Sequence, residues 1–377
     1  MRVSLVLAFL LALSPLAVST SSAQTRQKST QPPKAPPFSH AAEREKVNEN
    51  VLMIVGGSPG GPWTQIAQDV GTVVSDGDNL RVLPVGGGVA KGNIRDVLLL
   101  RGVDLGVTRV EALNDAKASG EFGPNLDRRV AYITVLSVDM LQMLVRPEIE
   151  SLKDLHGKTV NVWPKGSAIT NILKKFGIEI EELNLTMPEA IEQMRAGKNY
   201  GTGCMCLVPI PAFRNVSSDL GFKLLEIPYV AALEESYLPA NLASENYPNL
   251  IGKGSKVQTI GSNHILISYN WQPGSERYRK IEKFVNAFFS KIDKFRQPPH
   301  HPTWREVNIS GSIRGWQRFP AAQRWLDRQA ADAKAAPRAT DATQVRAQAA
   351  KAAPHDPAEQ ERLFKEFLEW SRKQPKR

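Results

Sequence analysis

Val51-Leu-Met-Ile-Val-Gly-Gly-Ser-Pro-Gly-Gly-Pro-Trp63 passes from one backbone period to another. Its five apolar residues, Val51 to Val55, form the run expected of a short strand buried on both faces. Four glycines and two prolines follow. After Trp63 the apolar positions Ile66, Ala67, Val70, Val73 and Val74 recur at spacings of three and four, as on one face of a helix. Strand, glycine-rich turn and helix in that order present bare backbone N–H groups and a helix N-terminus, to which Ser58 adds a hydroxyl, above a sheet edge where an anion can be held. The same glycines also suit a plain βα turn that needs only their backbone freedom. The stretch alone does not separate the two.

Working outward, the layout repeats. Leu80 to Val85 is a second strand, ending in Gly86-Gly87-Gly88, with a helix from about Asn93 that carries Ile94, Val97, Leu98 and Leu100. Val103 to Val107 closes on Thr108-Arg109, and Val110 to Ala118 reads as a helix stopped by Gly120. Tyr132 to Val135 and Met140 to Val145 are two further strand candidates. Ser151 to Leu155 is a short helical turn. Lys158 to Trp163 is a strand, followed by Pro164-Lys-Gly-Ser167 and a helix through Ile169, Ile172 and Leu173. Met187 to Ala196 is helical, with Pro188 in the first turn. Cys204 to Val208, Lys223 to Ile227 and His264 to Tyr269 are strands, and Tyr278 to Arg296 is a long amphipathic helix. Strands alternating with helices imply an α/β chain with a largely parallel sheet.

A chain of 377 residues has room for two domains with their own cores. The formal charge of +10 comes from scattered basic residues, with no Lys/Arg block along an aromatic-bearing strand, so nucleic acid is not an expected partner. At the N-terminus Met1-Arg2, the apolar run Val3 to Val18 and Ser21-Ser22-Ala23 make a cleavable signal peptide over residues 1–23. A periplasmic or secreted protein follows. Residues 24–49 are rich in Gln, Ser, Thr, Lys and Pro, as in a disordered leader, and the Ala-rich stretch 331–355 reads as a linker. Residues 356–373 form a terminal amphipathic helix with Leu363, Phe364, Phe367, Leu368 and Trp370 on one side, either docked on its own domain or offered to a partner. Cys204 and Cys206, the chain's two cysteines, are spaced to share one face of a strand; a bridge between such near neighbours would be strained, and two small buried side chains are the plainer expectation. Neither a metal site nor a cofactor is expected.

Several of these turns, taken together, resemble a known family. The Gly-Gly-Ser-Pro-Gly-Gly turn before a helix, Val85-Gly-Gly-Gly with Asn93 beyond it, and Val103-Asp-Leu-Gly-Val-Thr108 resemble the first lobe of the TAXI-type solute receptors, the extracytoplasmic binding subunits of TRAP transporters. Ser151-Leu-Lys-Asp-Leu-His-Gly-Lys-Thr-Val160 resembles the opening of that family's second lobe, Lys165-Gly-Ser167 its following turn, and Met187 to Lys198 its next helix. The resemblance runs from about residue 50 to 300. It implies a two-lobed α/β periplasmic-binding-protein fold of type II: lobe one 50–143 plus 264–330, lobe two 144–263, with crossings near Val145 and Asn263 as the hinge.

What the resemblance implies about function is capture of a small carboxylate, such as glutamate or a dicarboxylate, and delivery to the TRAP membrane permease, without catalysis and as a monomer. A receptor of the same fold that signals to a membrane partner is the alternative. Carboxylates out of bulk water need several donors. Backbone N–H groups at Ser58, Gly60, Gly61, Gly87 and Gly88, the side chains of Asn93 and Thr108, and Gly166 and Ser167 from lobe two are the candidates. Arg109 is either a bidentate carboxylate partner or a surface arginine beside Glu111. Neither glycine-rich turn carries the Gly-Lys-Ser/Thr of a phosphate loop, and no Ser-His-Asp or paired-carboxylate arrangement stands out. Departures from the family pattern at Pro59, Pro62, Gly88 and Asn199 to Cys206 leave room for a less polar solute.

Overall fold

The computed structural model describes residues 39–88, 90–163, 168–335, 339–354 and 356–373. The expected signal peptide lies outside them. The chain divides into residues 1–45 and 46–377. Helix α1, His40–Glu49, has no buried residue. It stands where the leader composition suggested disorder.

The opening stretch folds as expected. Val51–Val55 is strand β1 and Pro62–Val74 is helix α2, with Pro62 in its first turn, where a missing N–H has no consequence. Strand β2 (Arg81–Val85), α3 (Ala90–Leu99), β3 (Val103–Arg109) and α4 (Val110–Ser119) continue the alternation. Gly120 caps α4 at φ 68°, a left-handed position that glycine takes without a Cβ penalty. The short helix α5, Leu126–Arg129, leads into β4, Val130–Val145.

Strand β4 departs from expectation: the two separate candidates are one strand of 16 residues. The gap left between them, Leu136 to Asp139, reads as a break because Ser137 and Asp139 are polar, yet both are buried and the ladder runs through them.

After β4, Leu152–Leu155 makes one 3-10 turn whose Ser151 and Asp154 form a reciprocal capping box. Then come β5 (Thr159–Val162), α6 (Ala168–Lys175), β6 (Glu181–Leu183), α7 (Met187–Arg195), β7 (Gly201–Cys206), α8 (Pro211–Arg214), β8 (Lys223–Leu224) and β9 (Leu238–Ala243). Strand β10, Lys256–Tyr269, is 14 residues long and starts well before the expected His264. Helices α9 (Glu276–Ser290), α10 (Ile292–Phe295), α11 (Pro320–Ala335), α12 (Ala339–Ala352) and α13 (Pro357–Lys373) complete the chain. Two helices thus cover most of the expected linker 331–355. Alanine is the best helix former, and the segment holds enough of it for helix to win over coil. The terminal helix forms as expected and packs along α12, with the Arg346 guanidinium 4.4 Å from the Phe364 ring.

The strands form one sheet in the order β2-β1-β3-β10-β4-β7-β5-β6, with β8 beside β4 and β9 beside β10. β1 runs parallel to β2 and β3, and β5 parallel to β6 and β7. β10 and β4 run antiparallel to their neighbours through the middle.

Each half of this sheet is covered on both faces. In lobe one, Leu52 and Ile54 pack against Ile66 and Val70 of α2 and Phe284 and Phe288 of α9, while Val55 and Val103 pack against Ile94, Val97 and Leu113 of α3 and α4. In lobe two, Leu141, Met143 and Val145 meet Ile169 and Ile172 of α6, and Leu144 and Cys204 meet Ile191, Met194 and Phe213. Alternate residues of one strand feed opposite layers, which is the period-2 rule seen on a fully buried sheet. Of the expected crossing points, Asn263 lies inside β10 and Val145 at the end of β4, where it pairs with β7 and β8; the halves are joined by the β4–β10 ladder from Val130 to Met140.

Candidate ligand-binding cleft

The first two turns are laced to one another. The Gly56 N–H donates to Val85 O at 3.1 Å and the Gly87 N–H to Gly57 O at 3.0 Å. Thr64 Oγ1 reaches both Gly57 O (2.8 Å) and Ser58 O (2.7 Å), fastening the turn to the start of α2. The close approach explains Gly87: a methyl group there would lie 2.5 Å from Asn93 Oδ1 and from Val55 Cγ2. Asn93 is fully buried and donates through Nδ2 to Gly56 O and to Val107 O (2.7 Å), and Thr108 donates to Ala90 O at 2.9 Å. These side chains tie together the ends of β1, α3 and β3, and the donors in these bonds point at backbone carbonyls.

In front of this laced wall lies a cavity of 140 Å³. Ser58, Gly61, Gly88 and Arg109 line it from lobe one, and Trp163, Met205 and Leu207 from the other side. A second cavity of 510 Å³ shares Pro62, Trp163, Cys206 and Leu207 with it, reaches Gly60, and extends toward His301 and Glu306. Of the expected site residues, the structure therefore brings Ser58, Gly60, Gly61, Gly88 and Arg109 to one opening. Gly87, Asn93 and Thr108 stand behind it, and the Gly61 N–H closes its own turn onto Ser58 O at 3.0 Å. Gly166 and Ser167 lie outside the described residues.

Arg109 ends β3 and sits at the junction of the two halves. Its Nε donates to Glu111 Oε1 at 2.6 Å, and its Nη1 donates to the Met205 carbonyl on β7 at 2.8 Å and approaches Asp139 Oδ2 on β4 at 3.4 Å. Ser262 on β10 donates to Glu111 Oε2 at 2.6 Å. The guanidinium is 13% exposed and Glu111 2%. Arg109 stands beside Glu111 as one sequence reading had it, but inside the fold and not on the surface: it is the centre of a buried network that spans β3, β4, β7 and β10.

Asp139 faces the opening with Oδ1 buried and without a hydrogen-bond partner. Burial pushes its carboxyl up to about 7; Arg109 opposes that shift, and Glu111 and Glu306 add to it. The folded state thus holds this proton to higher pH than the unfolded chain, whose aspartate titrates near 3.8. Unfolding between those values releases a proton, so the contribution of Asp139 to stability falls as pH rises through the window and is flat above it, with a slope of at most about 1.4 kcal/mol per pH unit. Thermal unfolding of Asp139→Asn between pH 4 and 8 is expected to lack that slope, gaining on the wild type as pH rises. Parallel curves for the two proteins would count against the assignment.

Trp63 lies against this network. Its ring stacks on buried His264 at 4.5 Å, and the Arg109 guanidinium is 5.5 Å from the ring centre. His264 Nδ1 meets Ser137 Oγ at 3.3 Å, and burial holds the imidazole well below its usual titration range, so it is neutral.

Cys204 and Cys206 are bridged, contrary to the expectation of two free buried residues. Their Cα atoms are 5.5 Å apart, inside the range a disulfide spans, because β7 brings the two side chains to one face. The bridge flanks the Met205 carbonyl held by Arg109 and lines the larger cavity. Among the described residues no group of three or more His, Cys, Asp or Glu is placed to hold a metal ion, and no helix is long and apolar enough to cross a membrane.

The sequence reading missed Trp163, Asp139 and Leu207. A tryptophan directly after a strand and before a Gly-Ser turn was the available signal for Trp163. Asp139 carried none, since its partners are distant in sequence.

An α/β chain of two lobes sharing one sheet, with a cleft at the strand ends where they meet, has the fold of the periplasmic binding proteins. The chain belongs to the NMT1-like family, whose pattern matches residues 54–319. No curated protein sequence matches it. Similar solved structures include one described as a periplasmic transporter, 13% identical, covering 73% of this chain and 92% of that one with a TM-score of 0.41. The periplasmic aliphatic sulphonate binding protein SsuA from Escherichia coli is 14% identical, with 74% and 78% covered and a TM-score of 0.37. A TRAP periplasmic solute binding protein from Sulfitobacter sp. NAS-14.1, solved with β-D-galacturonate, is 11% identical, with 65% and 80% covered and a TM-score of 0.37. The fold assignment rests on the strand order and the family match.

Proposed function

We propose that this protein is a periplasmic solute receptor of the TAXI type, which captures a small organic acid in the cleft and delivers it to a TRAP membrane permease. The observation that carries the reading is the opening at the carboxyl ends of β1 and β3, lined from both halves of the sheet and holding a single arginine at its floor. Open α/β sheets bind ligands at such strand ends. Ser58, Gly60, Gly61 and Gly88 contribute polar backbone and Arg109 the cation; Gly166 and Ser167 complete the expected set from lobe two. The protein does no chemistry on its ligand. Capture, approach of the two lobes and docking on the permease are its whole cycle. Export to the periplasm follows from residues 1–23, and membership of the NMT1-like family and the lobe-opening motifs support the reading.

Mass spectrometry of the small molecules released on denaturing freshly purified protein, joined to thermal unfolding across a panel of carboxylates, tests this. A bound organic acid and a rise in Tm are expected; at a ligand concentration 100 times Kd the stabilisation is about 2.7 kcal/mol. Release of no organic acid, together with an unmoved Tm across the panel, would remove the proposal's support.

A further inference from the structure

The cleft has a chemistry narrower than "small organic acid". We propose that its ligand is a flat aromatic monocarboxylate, held between Trp63 of lobe one and Trp163 of lobe two, and not glutamate or an aliphatic dicarboxylate. This rests on the solute-receptor reading above and sharpens it.

Charge is the first argument. Among the described residues that line the two joined cavities, Arg109 is the sole permanent cation, while Asp139 and Glu306 are acids. Arg109 is already paired with Glu111. One ligand carboxylate can approach this arginine and the backbone N–H groups beside it. A second carboxylate would meet the carboxyl groups of Asp139 and Glu306 with no second cation among the described lining residues to answer it, and an uncompensated charge in a partly desolvated cleft discriminates strongly against a ligand. The α-ammonium of glutamate does not remove that difficulty, since its side-chain carboxylate still lacks a counterion.

The walls are the second argument. Pro62, Met205, Leu207 and the two tryptophans make most of the smaller cavity apolar. Trp163 is 43% exposed and belongs to none of the hydrophobic cores among the described residues, so a large part of its surface is open to the cleft it lines. Trp63 is held in one orientation by His264 behind it. Two indoles from opposite lobes line one opening, and aromatic stacking on either adds to the area a planar ligand buries there. Asp139 Oδ1, buried and unpartnered at the same opening, suits a ligand hydroxyl or N–H.

Isothermal titration and tryptophan fluorescence on the full chain test the proposal, with benzoate, 4-hydroxybenzoate, nicotinate and indole-3-acetate set against succinate, glutarate and L-glutamate. At least one aromatic acid is expected to bind more tightly than every aliphatic one and to change the indole emission. Trp163→Ala is expected to weaken that binding on the order of tenfold, with Trp163→Phe losing less. Because Trp163 lies outside both lobe-two cores, its loss leaves the fold intact, and an unchanged Tm of the free variant confirms this. Tighter binding of succinate, glutarate or glutamate, or an aromatic-acid affinity within twofold of wild type in Trp163→Ala, overturns the proposal and leaves the receptor reading standing. Absence of any bound or released organic acid overturns both.

Discussion

Arg109→Met is expected to lower the stability of the protein by about 3–5 kcal/mol, read as a shift of the urea midpoint at unchanged m-value. The arginine is 13% exposed and Glu111 2%. Removing the guanidinium leaves the Glu111 carboxylate with the Ser262 hydroxyl as its hydrogen-bond donor, and strips Asp139 of its ionic neighbour at 3.4 Å. A buried carboxylate abandoned in this way costs far more than the pair ever contributed. The double variant Arg109→Met with Glu111→Met should therefore recover at least half of the loss, since it removes the stranded charge together with its partner. Arg109→Lys should fall between, because a single ammonium cannot reach Glu111, Asp139 and the Met205 carbonyl at once. A single-variant loss under about 1 kcal/mol would show that water reaches the network and that the pair is an ordinary surface one.

Trp304→Ala is expected to cost a similar amount, about 3–5 kcal/mol, for a different reason. Trp304 is fully buried in the 3-10 turn Pro302–Glu306, edge-on to Phe288 at 5.9 Å and 4.4 Å from Phe295. Its indole N–H donates to Asp69 Oδ2 at 2.7 Å, and the same oxygen accepts the His301 N–H at 2.9 Å. Truncation opens a cavity between α9 and α10 and removes a charge-assisted hydrogen bond. Trp304→Phe separates the two contributions: it keeps most of the packing and loses the bond, with about 1.5–3 kcal/mol expected. The loop fastened by Asp69 also carries His301, Pro302 and Thr303 to the rim of the larger cavity, so the alanine variant should bind ligand more weakly than its stability alone predicts. Equal unfolding midpoints for the phenylalanine variant and wild type would rule out an energetic role for the Asp69 bond.

Much of this fold is legible because its local signals agree. Apolar runs, glycine-rich turns and helical spacing coincide from Val51 to Arg109, and Ser151 with Asp154 and Thr186 with Glu189 mark helix starts by short-range capping. The long strand β4 was not legible as one piece. Its polar residues Ser137 and Asp139, which suggest a loop, are buried because partners distant in sequence receive them: His264 for Ser137 and Arg109 for Asp139. Nothing in a local window announces such partners. Strand β9 was missed for a related reason, since Pro239 and two exposed leading residues mark an edge strand paired on one side only. The site divided along the same line. The glycine turns were visible, whereas the true setting of Arg109 depends on residues 30 and 96 positions away. Asn93 and Thr108 have the chemistry of ligand donors, and only their burial against backbone carbonyls shows them as ties between elements.

Because β4 and β10 each traverse both lobes and are bonded to one another from Val130 to Met140, the two halves are not linked by free strings of chain. They share a two-ply ribbon. A ribbon of paired strands resists stretching and sliding but yields to twist, most readily where its pairing shifts, at His264/Ile265 and Leu266/Ile267. Such a ribbon favours relative twist of the lobes over stretching or sliding. A solute entering the cleft works against a torsion bar with a set zero angle, so little orientational freedom is left to be lost when the lobes meet.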